Sequence, residues 1–299
     1  MRNNLAVKRL LAFLVFALQG VAVPILAQSH TIEVPFEYFK NELLVEVMID
    51  GKGPFTMMLD TGTDPSAIDL ATADAIGLGR SGKGHTASGG GTQKNLAFAC
   101  KLKNVEVGGL RAASLDAAAI DLSAVSERLG KHLDGVLGHS LLNKRIVQFD
   151  YPHSVVRFFD HAPAVAAGAS TMKFRYVDNV LIHNVWINGV KATANLDTGS
   201  SGMFALTAEA VTRLGLTDAA SKATIATSVG YNGKFDNRVG KLGSIKIGDV
   251  EVRDAEVTYW SAGTGHDKRP WDVNIGNQFF KDFVVTIDYQ KKTVVLSRR

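Results

Sequence analysis

The 299 residues carry a formal net charge of +4, 46% hydrophobic side chains and a single cysteine, Cys100. A chain of this length can bury a sizeable core unaided, and one cysteine excludes an internal disulfide framework. No Lys/Arg cluster interleaved with aromatic residues occurs beyond the N-terminus, so nucleic acid is not an expected partner.

Arg2, Lys8 and Arg9 precede an apolar run from Leu10 to Phe16 that continues, with interruptions, to Ala27. This pattern predicts a signal peptide over residues 1–27 and an exported, periplasmic or secreted protein. Gln19, Gly20 and Pro24 interrupt the run, which disfavours a stable membrane-spanning helix. An uncleaved N-terminal anchor is the alternative; after cleavage no membrane association is expected. Removing residues 1–27 takes away those three cations and no acid, leaving +1, so most of the basicity belongs to targeting.

Short runs rich in β-branched and aromatic residues, bounded by Gly, Pro or Asp, predict strands over 31–35, 43–49, 55–59, 105–107, 146–149 and 155–159. The second half repeats them at 180–187, 192–196, 244–247, 284–287 and 293–296. Apolar residues at helical spacing predict one helix in each half, over 66–76 with Ser66 as N-cap and over 207–214 with Thr207 as N-cap. The Ala-rich stretch 160–170, with Pro163 and Gly168, has neither period and reads as a linker. Many short strands separated by Gly-rich turns predict an all-β fold.

The halves also share an acid-bearing tripeptide. Leu59-Asp60-Thr61-Gly62-Thr63 is matched by Leu196-Asp197-Thr198-Gly199-Ser200, each after an apolar strand-like run. The register extends on both sides: Ile49-Asp50-Gly51 answers to Ile187-Asn188-Gly189, Ile76-Gly77-Leu78 to Leu214-Gly215-Leu216, and Val136-Leu137-Gly138 to Asn274-Ile275-Gly276. These offsets of 137 to 138 positions are lobe-sized, far beyond the roughly 20 to 50 residues of solenoid repeats. The chain thus reads as a duplicated domain with two facing carboxylates at a shared site.

An apolar pair, Asp-Thr-Gly, a hydroxyl residue and a later apolar-apolar-Gly segment, present twice, resembles the aspartic proteases of the pepsin and retropepsin types. The resemblance covers nearly the whole chain after residue 27. It implies bilobal β-barrel lobes, each with a short helix: an N-terminal lobe over 28–160, a linker over 161–170 and a C-terminal lobe over 171–299, with the site between the lobes. It also implies an aspartic endopeptidase acting on a peptide or protein substrate as a monomer, with no cofactor and no metal. Asp60 and Asp197 would be catalytic, one ionised and one protonated, because nearby carboxyls cannot comfortably both ionise. Thr61 and Thr198 would cross between lobes, Gly62 and Gly199 would allow tight turns, and Thr63 and Ser200 would each offer a hydroxyl to the neighbouring acid. Such hydrogen bonds favour the ionised carboxyl and lead to an expected acidic optimum. Ser88-Gly89-Gly90-Gly91 is the candidate substrate-covering flap, although no tyrosine accompanies it as in the pepsin type; Val229 to Gly233, with its Asn-Gly pair, is the second-half counterpart. A non-catalytic peptide-binding protein on the same scaffold is the alternative function, and a site completed by a second chain the alternative assembly.

Other motifs are weaker. Gly138-His139-Ser140 is partly similar to a nucleophile elbow, but Leu142 stands where that motif needs Gly. The eight histidines are scattered without His-Glu-x-x-His spacing. Gly263-Thr264-Gly265 with Lys268 lacks the spacing of a phosphate loop, Cys100 reads as a small core residue, and Trp260 and Trp271 flank a second-half loop.

Overall fold

Period-two and wholly apolar runs fold as strands here because nearly every one finds a hydrogen-bonding neighbour and an apolar face to cover. The computed structural model describes residues 31–298; the expected signal peptide over 1–27 lies outside the described residues. The protein is all-β and bilobal.

In the first half the spatial order is Glu37–Phe39, Glu42–Ile49, Lys52–Leu59, Gly135–Leu137, Ser66–Asp69, Leu110–Ile120, Leu96–Val107 and Ser81–Thr86. Pairing of Met48 with Glu106 and Ile49 with Val105 closes the sheet on itself. The second half repeats this order with Val180–Ile187, Val190–Leu196, Val273–Ile275, Phe204–Leu206, Val250–Trp260, Gly233–Ile247 and Thr224–Gly230, and closes through Val185 against Ile247. A platform joins the halves in the order Thr31–Pro35, Val155–Phe159, Ile146–Asp150, Val284–Asp288, Thr293–Ser297 and Ser170–Tyr176. At its centre Gln148 pairs with Thr286, its own counterpart 138 residues on, as an approximate two-fold axis between the halves requires.

Phe149, Phe204, Phe280, Leu43, Met57, Leu59 and Ile68 are among the largest fully buried side chains. Cys100 is buried, and that burial pushes its thiol up to about 11.

The first predicted helix begins too early. Ser66–Asp69 is a strand, pairing parallel to Ala117 through Ile120, and the helix is Leu70–Ala75, capped by Asp69 rather than Ser66. Ala67 and Ile68 belong to the sheet, and their apolar character mimics the first turn of a helix. Ser66 instead accepts from the Gly138 N–H and meets Ser140 at 2.6 Å. In the second half Thr207 does cap Ala208–Arg213, accepting from the Ala210 N–H. The sequence also leaves unannounced the short helices Ser123–Leu129, His139–Leu142, Thr217–Lys222 and Asn277–Phe280, whose four to seven residues are too few to display a period. No helix among the described residues is long and apolar enough to cross a membrane.

Candidate active site

Asp60 and Asp197 open the loops that follow Lys52–Leu59 and Val190–Leu196. Their backbones are held alike: the Asp60 N–H donates to the Leu137 carbonyl and the Asp197 N–H to the Ile275 carbonyl, both at 3.0 Å. The Gly62 N–H donates to Asp60 Oδ1 at 2.6 Å and the Gly199 N–H to Asp197 Oδ1 at 3.0 Å. The two carboxyls face each other, since a Cβ on Gly62 would stand 2.7 Å from Asp197 Oδ1 and 3.1 Å from Asp60 Oδ1.

Thr61 and Thr198 cross between the halves. Each backbone N–H donates to the other residue's hydroxyl, at 3.0 and 3.1 Å. In turn Thr61 Oγ1 donates to the Leu196 carbonyl at 2.8 Å and Thr198 Oγ1 to the Leu59 carbonyl at 2.9 Å. Both threonines are 1% exposed, so water does not compete for these bonds.

The glycines are required by space. Gly62 and Gly199 lie in turns whose N–H groups reach the carboxyls, and neither has a positive φ. A Cβ on Gly62 would lie 2.7 Å from Asp197 Oδ1, and one on Gly199 would lie 2.3 Å from Asp60 Oδ2. Each glycine therefore makes room for the opposite half's acid. Gly138 and Gly276 make room instead for their own half's acid loop, since a Cβ there would strike the Thr63 carbonyl at 2.2 Å or the Ser200 carbonyl at 2.5 Å.

Beyond these shared features the acids differ. Thr63 donates to Asp60 Oδ2 at 2.5 Å. Ser200 makes no corresponding bond: its hydroxyl faces Gly276, 2.9 Å from where a Cβ would stand. Asp197 Oδ2 receives the Asn274 side-chain amide instead, at 2.7 Å. The repeat alignment holds a signal for this, because Asn274 stands where the first half has Val136. Burial, followed by the facing Asp60 carboxyl, pushes Asp197 well above the ordinary 3.8, against the opposing pull of Asn274 and the Gly199 N–H.

Two hairpins meet over the acids. Thr224–Gly230 and Gly233–Ile247 pair through a tip formed by Tyr231 and Asn232, so the turn sits one residue earlier than the Asn-Gly pair suggested. Tyr231 reaches into the first half, its hydroxyl 2.9 Å from Thr63 Oγ1 and donating to Asp60 Oδ2 at 3.4 Å. Burial and the Asp60 charge push that phenol well above 10.0. The tyrosine absent from the first-half loop is thus supplied by the second half.

The first-half loop docks on this tip. The Asn232 N–H donates to the Gly90 carbonyl at 2.8 Å, the Gln93 N–H to the Asn232 carbonyl at 2.9 Å, and Asn232 Nδ2 to the carbonyls of Ala87 and Gly89 at 3.0 and 3.2 Å. Gly91 combines a φ of 127° with a backbone approach that would set a Cβ 2.0 Å from the Asn232 carbonyl, and only glycine tolerates both. Arg269 donates to the Ser88 hydroxyl at 3.2 Å. Beside this contact His266 stacks on Trp260, with ring centroids 3.6 Å apart, while Trp271 is buried. The glycines of the candidate covering flap thus dock against the second-half tip as part of an interlocked roof.

Beside the pair lies a further acid without a sequence signal. Glu42 is fully buried and bonds Arg128 at 2.6 Å, and Arg128 reaches the Ser201 hydroxyl at 3.4 Å. Burial raises Glu42 to about 8, outweighing Arg128, with smaller contributions from Asp60 and Asp197. No group of three or more His, Cys, Asp or Glu side chains among the described residues is placed to hold a metal.

This arrangement can hold one proton between two carboxyls, in unequal surroundings, under a roof contributed by both halves. No curated protein matches the chain. A family model described as aspartyl protease matches it twice, over residues 45–141 and 183–279, each match enclosing one Asp-Thr-Gly loop and its later glycine segment. The chain belongs to the aspartyl protease family.

Proposed function

We propose that the protein is an aspartic endopeptidase that cleaves peptide bonds with a water activated between Asp60 and Asp197, on a pepsin-like or retropepsin-like plan. The observation that carries this reading is the facing pair itself, in which burial and Asp60 push Asp197 well above its ordinary range while Asp60 accepts from the Gly62 N–H and the Thr63 hydroxyl. Asp197 holds the proton and gives a hydrogen bond to the scissile carbonyl. Asp60 takes a proton from the water as it attacks, and the pair then returns a proton to the leaving amine. Burial from bulk water strengthens both interactions.

Substrate reaches the acids when the tip at Tyr231 and Asn232 parts from the loop at Gly89 to Gln93, a gating step of the kind that covering loops perform. Both acids come from one chain, which supports a site complete in the monomer. Export belongs to the same proposal and rests on the cations and apolar run within residues 1–27.

The test is cleavage of a peptide library from acid to neutral pH by the protein and by Asp60→Asn and Asp197→Asn. Loss of more than about 10³-fold in both variants is expected, since each acid takes part in every proton transfer. A folded wild type that cuts nothing at any pH, while still binding peptides, would replace the enzyme with a peptide-binding protein.

A further inference from the structure

A polar departure from the internal symmetry lies against Asp197. In the first half Met58 and Val136 are partners on parallel strands, 2% and 0% exposed. The equivalent partners in the second half are Asn195 and Asn274, each 2% exposed. Two buried amides replace two buried hydrocarbons at a cost, because a buried polar group is unfavourable unless bonded. The bonds form a line: Asn195 Nδ2 donates to Asn274 Oδ1 at 2.7 Å, and Asn274 Nδ2 donates to Asp197 Oδ2 at 2.7 Å. The line is incompletely satisfied, since Asn195 Oδ1 has no partner. Polar groups kept in a core against the local packing rule are the expected mark of a functional constraint.

With Asn195 donating as placed, one orientation of Asn274 completes the line. Turning Asn274 over would press its oxygen against the carboxyl and its NH₂ against that of Asn195. An NH₂ only donates, whereas a hydroxyl donates or accepts. Asp60 Oδ2 meets the hydroxyls of Thr63 and Tyr231, which can rotate to suit a carboxylate or a carboxylic acid. Asp197 Oδ2 meets the Asn274 NH₂, a donor that favours the ionised carboxyl as the Gly199 N–H does at Oδ1. The remaining oxygen, Asp197 Oδ1, lies on the side of Asp60 Oδ1: the two would stand 2.7 and 3.1 Å from a single Cβ on Gly62.

We infer that Asn274, oriented by Asn195, is a positioning residue that holds the Asp197 carboxyl by its outer oxygen and favours its ionised form against the facing Asp60. This rests on reading Asp60 and Asp197 as a proton-sharing pair. It makes the duplicated site directional, with hydroxyls that adapt around Asp60 and an amide that only donates to Asp197. The other titratable groups close enough to interact electrostatically with Asp197 are Asp60, Glu42 from Glu42–Ile49, Tyr151, Tyr231 and Arg269 from the second-half loop. None of them donates to Oδ2 in place of Asn274.

The test is carboxyl-carbon NMR titration of the protein carrying ¹³C-labelled aspartate, with Asp60→Asn and Asp197→Asn used for assignment. Asn274→Val removes a donor to a charged group and should raise the upper apparent pKa of the pair by about 1 unit or more. Asn274→Ser, whose hydroxyl can donate, should shift it less. Should Asn274→Val alone not fold, the double variant Asn195→Met with Asn274→Val copies the first-half pair and should show the full rise. A folded Asn274→Val or double variant that titrates within about 0.3 units of wild type overturns the inference. In a preparation that cleaves peptide, the alkaline limb of kcat/KM should move upward with the NMR value, which a purely structural loss would not cause. A protein that cleaves nothing yet shows the displaced titration supports this inference and overturns the proteolytic reading.

Discussion

Replacing Thr61 by valine keeps the shape of the side chain and deletes its hydroxyl. Two hydrogen bonds disappear, the one Thr61 Oγ1 donates to the Leu196 carbonyl and the one it accepts from the Thr198 N–H. Both partners remain buried in a region where each threonine is 1% exposed. A net bond contributes about 1 kcal/mol, and an orphaned buried donor or acceptor costs about 1–3 kcal/mol. The Thr198 N–H loses its only acceptor, so a loss of about 2–5 kcal/mol is expected, a large share of the stability of an ordinary domain. Thr198→Val removes the mirror-image bonds, to the Leu59 carbonyl and from the Thr61 N–H, and should cost the same within about 1 kcal/mol. Equilibrium urea unfolding, with the slope compared to wild type, measures both. A loss under about 0.5 kcal/mol for either, at unchanged slope, would refute the claim that these bonds are made away from water. Unequal losses would refute the symmetry of the lock.

Tyr231→Phe leaves the ring beside Gly89 and removes the hydroxyl that meets Thr63 and Asp60. If this contact holds the roof shut, its loss weakens closure by about 1 kcal/mol, and KM for a peptide should fall about 5-fold; an unchanged or higher KM would count against Tyr231 as the closing residue. Glu42, raised from 4.5 to about 8, contributes stability that is whole below 4.5 and is lost as pH rises through about 8. Urea midpoints should therefore fall between those values, and Glu42→Gln should flatten that slope; an identical pH dependence in the variant would show that Glu42 ionises freely beside Arg128.

The acid pair was legible in the sequence because duplication states the same constraint twice. Asp60 and Asp197, the threonines after them, and Gly138 and Gly276 recur in register, and most strands stood out through β-branched runs with sharp ends. The lobe-to-lobe bonds between Thr61 and Thr198 obey the same two-fold logic. At the acids themselves, the structure departs from expectation where the repeat is broken. Ser200 aligns with Thr63 yet cedes its place to Asn274, because its hydroxyl turns toward Gly276 and the amide rises from a neighbouring strand. Asn274 was readable as a polar residue where the first half has Val136, but its direction toward Asp197 was not.

Sequence alone determined the all-β character, the duplication and the two Asp-Thr-Gly loops, since each depends on contacts between neighbours in the chain or between symmetry-related positions. Only the tertiary structure decided that Tyr231 belongs over Asp60, 171 residues away, that Gly89 to Gly91 dock on Asn232, and that Glu42 lies buried beside the pair. Those contacts join residues unrelated by period or by repeat. They arise only once two closed sheets fix where their longest hairpins reach, a geometry that no local pattern of side chains encodes.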